Sequence, residues 1–99
     1  MRVSLEIDIP NPDDDRPGVL LRFPYDAEFI EELKDAVRPA RDRGFKPALE
    51  GWWVAEAHRE TAEQLLADRF GSYAVLGEYG GDYVVNSDGS RIGQGGLFE

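Results

Sequence analysis

Side chains able to do chemistry are sparse in this 99-residue chain, and their spacing limits what they could do. His58 is the only histidine, set between Glu56 and Glu60. A nucleophilic triad needs a base and an orienting partner beside a Ser, Thr or Cys. Ser72, Ser87 and Ser90 stand in turn contexts with no elbow sequence around them, and there is no Cys. Disulfides, thiolate zinc sites and Cys nucleophiles are therefore excluded, and a single His excludes a His-rich metal site. The run Asp13-Asp14-Asp15 could hold a cation or be a solvated connector between strands. Asp88-Gly89 lacks the ligands that follow in a calcium loop and fits a hairpin turn. Gly77, Gly80 and Gly81 lie among strands, so none makes a phosphate cradle ahead of a helix. The expectation is a protein with no catalytic residues, no metal and no cofactor.

Binding chemistry has two candidate places. Arg38, Arg41, Arg43 and Lys46 fall within nine residues, opposed only by Asp42, in a chain of net charge −9. They read either as a helix C-terminus running into a solvated loop or as a phosphate contact. Alternation sets Trp53 opposite Trp52, on the sheet face away from the helices, with Arg22 and Lys46 as neighbours. A Trp flanked by cations on an open face is a stacking platform for single strands; on a covered face it is a ring hidden under terminal strands.

The second place is the end of the chain. Gln94-Gly95-Gly96-Leu97-Phe98 resembles the Gln-x-x-Leu-Phe peptides that bind bacterial sliding clamps. There the Leu and Phe anchor in an apolar pocket and the Gln bonds at its rim. The alternative is that this segment packs back on the domain or is inert.

The elements that must position these residues can be read in order. Residues 2–9 alternate, with Val3, Leu5, Ile7 and Ile9 on one face, which predicts a half-buried strand. Pro10 and Pro12 end it. Val19–Phe23 is a second strand, with Val19, Leu21 and Phe23 on one face. Asp26 caps a helix running to about Arg38, whose apolar stripe is Phe29, Ile30, Leu33, Ala36 and Val37. Phe45–Leu49 and Trp52–Ala55 form a hairpin around Glu50-Gly51. A second helix covers about 56–70, with Ala62, Leu65, Leu66, Arg69 and Phe70 inward and Gly71 closing it. Tyr73–Leu76, Asp82–Val85 and Arg91-Ile92 are short strands. Tyr25, Phe29, Phe45, Trp52 and Phe70 are assigned to the core. The order ββαββα followed by ββ predicts the α+β class: a small, mainly antiparallel sheet with two helices on one face. One domain is expected over 1–92, with a flexible Gly-rich tail over 93–99.

Composition narrows the partners. An acidic surface repels nucleic-acid phosphates at long range and favours basic partners. Nine Arg against two Lys, with so many carboxylates, suits either a salt-loving source or a high-GC genome. No apolar run is long enough to span a membrane, and residues 1–8 do not form an apolar signal core, so the expectation is a cytoplasmic protein.

Tyr25 to Ala55 resembles the HARP (HepA-related protein) domain, found beside annealing helicases and in small stand-alone relatives. That family runs Tyr-Asp-Pro, an amphipathic helix, a loop, then Trp-Asp-Pro-x-x-x-x-Trp-x-Val-Pro and a second helix. Tyr25-Asp26 matches the opening, Leu33-Lys34 falls in the helix, and Trp52 stands seven residues after Phe45 as the family spacing requires. Phe45-Lys46-Pro47 replaces Trp-Asp-Pro, and Val54-Ala55 replaces Val-Pro. Over residues 19–70 the resemblance implies a non-catalytic module that recognises DNA structure such as forks. Arg22, Arg41, Arg43, Lys46 and Trp53 would contact DNA, or Gln94, Leu97 and Phe98 would recruit a clamp. The other expectation is an acidic protein–protein adaptor or inhibitor, a DNA mimic docking on a basic partner.

Overall fold

Asp26 does what its position predicts. Its carboxylate accepts from the Phe29 amide at 3.0 Å and starts helix α1, Ala27–Ala36. Phe29 and Leu33 face inward from it, and Val37 follows at its C-cap. The computed structural model describes residues 3–77, 83–85 and 91–93. Around α1 stand strands β1 (Ser4–Glu6), β2 (Gly18–Arg22), β3 (Arg43–Lys46) and β4 (Gly51–Ala55). Helix α2 (Arg59–Phe70) and strands β5 (Tyr73–Leu76), β6 (Tyr83–Val85) and β7 (Arg91–Gly93) follow.

The strands form one seven-stranded sheet in the order β3-β4-β2-β1-β5-β6-β7. Every neighbouring pair is antiparallel except β1 with β5, so the sheet is mixed and mainly antiparallel. That parallel pairing joins the N-terminal strand to a strand some seventy residues later, beyond the reach of any local pattern. This is the expected α+β class. Both helices pack on one face, where Leu5, Val19, Leu21, Val54 and Val75 meet Phe29, Leu33, Ala62 and Leu66. Phe23, Phe29 and Phe70 pack with ring centroids 4.6–5.9 Å apart. Truncating a fully buried side chain here, such as Leu33, costs about 2–5 kcal/mol. Arg69 ties the two helices together by pairing with Asp26 at 2.7 Å and Glu28 at 3.0 Å. Gly71 ends α2 with φ 87°, a left-handed backbone that suits glycine.

Three departures from the sequence reading matter for function. The alternation of residues 2–9 does not persist along one face. Asp8 takes φ 58°, and beyond it Ile9 packs on the opposite face from Val3, Leu5 and Ile7. Strand β3 begins two residues early, at Arg43, and Pro47–Leu49 is a 3-10 turn leading into left-handed Glu50 (φ 57°). Arg43 is therefore a strand residue opposite Val54 rather than part of a loop. Finally, Tyr25 and Phe45 are not core: they are 84% and 53% exposed.

The face without helices is also covered, by the β1–β2 connector. Asn11 is buried at its start, accepting from the Asp15 amide and, through Oδ1, from the Asp13 amide. The connector lies over a second, smaller cluster of Leu20, Trp53 and Ala55, completed by Ile9 and Leu49.

Candidate functional site

Trp53 is the centre of that second cluster and is fully buried. Its indole Nε1 donates to the Ile9 carbonyl at 2.8 Å, satisfying the one polar group of the ring. The Arg16 guanidinium lies 5.3 Å from the ring centroid, inside cation–π range. Gly18 allows this packing: a Cβ there would come within 2.5 Å of the indole. The stacking-platform expectation for Trp53 is thus corrected. Alternation placed the ring on the right face, but the connector seals that face.

Arg16 also anchors the connector. It pairs with Asp14 at 2.8 Å and Asp42 at 3.0 Å, and donates to the Arg41 carbonyl. Asp42 binds His58 Nε2 through its other oxygen at 3.0 Å. Hydrogen bonds from Arg16, and then from His58, hold the Asp42 carboxyl below the usual carboxylate range. His58 is accounted for by this structural network. Asp14 is lowered by the Arg16 backbone amide and then by the Arg16 side chain. Lys46 reaches Asp13 at 2.7 Å. The carboxylates of Asp13 and Asp14 are thus engaged by cations of the protein itself, and no group of three or more potential ligands gathers to hold a metal among the described residues.

Other cations are neutralised in the same way, including two of the four in the basic cluster, Arg38 and Lys46. Arg22 pairs with Glu6 at 3.0 Å and also donates to the Leu49 carbonyl. Arg38 pairs with Asp35 at 3.2 Å. Arg43 points its guanidinium at the Lys34 carbonyl, 3.4 Å away in the last turn of α1, where a cation meets the negative end of the helix dipole. Within the cluster Arg41 and Arg43 have no ion pair among the described residues. Arg22, Arg41, Arg43 and Lys46 therefore do not converge on one open surface. Lys46 sits opposite Gly51 on the connector side, whereas Arg43 lies on the helix side. Gln94, Leu97 and Phe98 lie outside the described residues.

What the structure does gather is aromatic. On the helix side, between α1 and the β3–β4 hairpin, lies a groove of about 440 Å³. Its apolar walls are Leu21, Phe23, Tyr25, Ile30, Phe45 and Trp52, with Arg22 and Glu50 at its edge. Phe45 and Trp52 are cross-strand partners and meet edge to face at 6.1 Å. The groove lies at an edge strand: Phe45 on β3 is 53% exposed, whereas Val19 and Leu21 on β2 are fully buried. Pro24 ends β2 just before Tyr25. Sequence reasoning placed these aromatics on the helix-facing side but took them as core. The available signal was the edge position of the hairpin, which periodicity does not carry.

The chain matches no protein-family model, no curated protein and no solved structure. None of the helices among the described residues is long and apolar enough to cross a membrane.

Proposed function

We propose that this chain is a non-catalytic, acidic protein–protein adaptor. Its aromatic groove receives apolar anchor side chains of a partner whose flanking residues are basic. The observation that carries this reading is the open groove of Tyr25, Phe45 and Trp52. Large aromatics in a concave, apolar setting are the usual anchors of a protein interface. Charge complements the shape. Most cations are already paired internally, while Glu32, Glu50, Glu56 and Glu60 have no ion pair among the described residues. Glu50 sits at the groove's edge, placed to meet a Lys or Arg next to an anchor. The net charge of −9 would speed encounter with a basic partner and repel nucleic acid at long range.

The resemblance to a DNA-structure module leaves direct DNA contact to Arg41 and Arg43, since Trp53 is sealed and Arg22 and Lys46 are paired. The adaptor reading needs no such contact.

Selection from a displayed peptide library, with the full chain as bait, tests the adaptor reading. Enriched peptides should carry two or three apolar anchors flanked by Lys or Arg. Their binding should weaken with added salt and be lost in the Tyr25→Ala/Phe45→Ala variant. Enrichment of no common pattern, or peptides that bind that variant unchanged, contradicts it.

A further inference from the structure

We infer that the Leu97–Phe98 segment of one copy of this chain docks in the aromatic groove of a second copy, so that the protein associates head to tail. The inference rests on the reading of the groove as an apolar anchor site and adds a second occupant, whose anchors are flanked by Gly and Glu rather than by basic residues. Leu97 and Phe98 form an apolar pair just past the last described strand, of the side-chain type the groove would take.

Sheet topology says which groove they can reach. Register pairs Gly93 with Tyr83, Tyr83 with Val75, Val75 with Leu5, Leu5 with Leu21, Leu21 with Trp52 and Trp52 with Phe45. The point where the chain leaves β7 is thus level with the groove, on the opposite edge of the same sheet. At about 4.8 Å per strand spacing, β7 lies about 19 Å from β2 and about 29 Å from β3. From Gly93 to Phe98 the backbone spans at most about 18 Å, short of β2 and well short of Phe45 on β3. The helices lie across that face as well, so the segment falls short of its own groove. A second copy brings the groove within range. If the β7 edge of one copy abuts the β3 edge of the next, the groove of the next copy begins about one strand spacing away. Among the described residues β3 and β7 are the two edges of the sheet. The contact joins two different surfaces, so it propagates instead of closing as a simple twofold dimer.

Charge gives this association a signature of its own. Two chains of −9 repel each other, and salt screens that repulsion while leaving apolar docking intact. Self-association should therefore strengthen with salt, whereas binding of a basic partner weakens.

Sedimentation velocity of the full chain, over a hundredfold concentration range at low and high salt, tests the inference. The average mass should rise progressively with concentration, and more at high salt. Leu97→Ala/Phe98→Ala and Tyr25→Ala/Phe45→Ala should each return the chain to monomer, with circular dichroism confirming that both stay folded. A labelled peptide of residues 93–99 should bind the wild-type chain and not the groove variant. A monomer under all conditions, or association that survives the Leu97/Phe98 change, overturns the inference. In that case peptides from the library that bind the wild-type chain and not the groove variant would leave the adaptor reading standing. If the groove variant alters neither measurement, both fail.

Discussion

Trp52 and Trp53 are adjacent in the chain and lie on opposite faces of the same strand, yet their fates are reversed from what their surroundings suggest. Trp52 faces the helices, the side where burial is expected, and it lines an open groove. Trp53 faces away from them and is fully buried. The difference lies in what covers each face. On the helix side Phe45, on the edge strand, and Tyr25 stay exposed beside Trp52. On the other side the β1–β2 connector is held down by Arg16, Asp42 and Asn11, and closes over the indole. Face and coverage are separate properties, and only the first follows from alternation.

Substitutions at the two indoles and their surroundings put that difference to the test. The largest effect is expected at Trp53→Ala, which removes a fully buried ring and its bond to Ile9, at about 3–5 kcal/mol by chemical denaturation. A loss below 1 kcal/mol would mean that the ring is not sealed. Gly18→Ala should come next. Its Cβ would fall 2.4 Å from the Val54 carbonyl and 2.5 Å from the indole, and overpacking of this kind costs about 1–3 kcal/mol. A neutral Gly18→Ala would show that the connector and ring can move apart freely.

Acid acts on the connector through Asp42 and Asp14, and on the helix pair through Asp26. Hydrogen bonds from Arg69, and then from the Phe29 amide, lower Asp26. All three carboxyls have folded-state values below their ordinary value of 3.8. Their contribution is therefore present above that pH and is lost as pH falls through the folded values. Thermal midpoints should drop as pH is lowered below about 4, and Asp42→Asn should flatten that dependence. An unchanged slope in Asp42→Asn would remove Asp42 from the account. The smallest effect on stability belongs to the groove. Tyr25→Ala/Phe45→Ala should change unfolding free energy by about 1 kcal/mol or less, because both rings are mostly exposed. A larger loss would make them core after all.

Much of the fold was legible in the chain. The Asp26 cap, both helices, the Gly71 stop, the facing of Val19, Leu21 and Phe23, and the last two short strands all follow local rules that the structure keeps. Local rules stopped where distant segments decided the outcome. The β1–β5 pairing depends on which of several apolar strands meet. The turn of Ile9 to the second cluster depends on left-handed Asp8, a residue whose neighbours give no glycine signal. The pairing of Lys46 could not be read because its partner Asp13 lies 33 positions away in sequence. The groove could not be read because it lies on an edge strand, and which strand ends the sheet is set by pairings between distant segments.

The two indole N–H signals in a nitrogen–proton correlation spectrum test the central claim most directly. On adding a library-selected peptide, the Trp52 signal should shift, while the Trp53 signal stays in place and remains protected from solvent exchange. A Trp53 signal that moves or exchanges freely while that of Trp52 stays still would contradict the account.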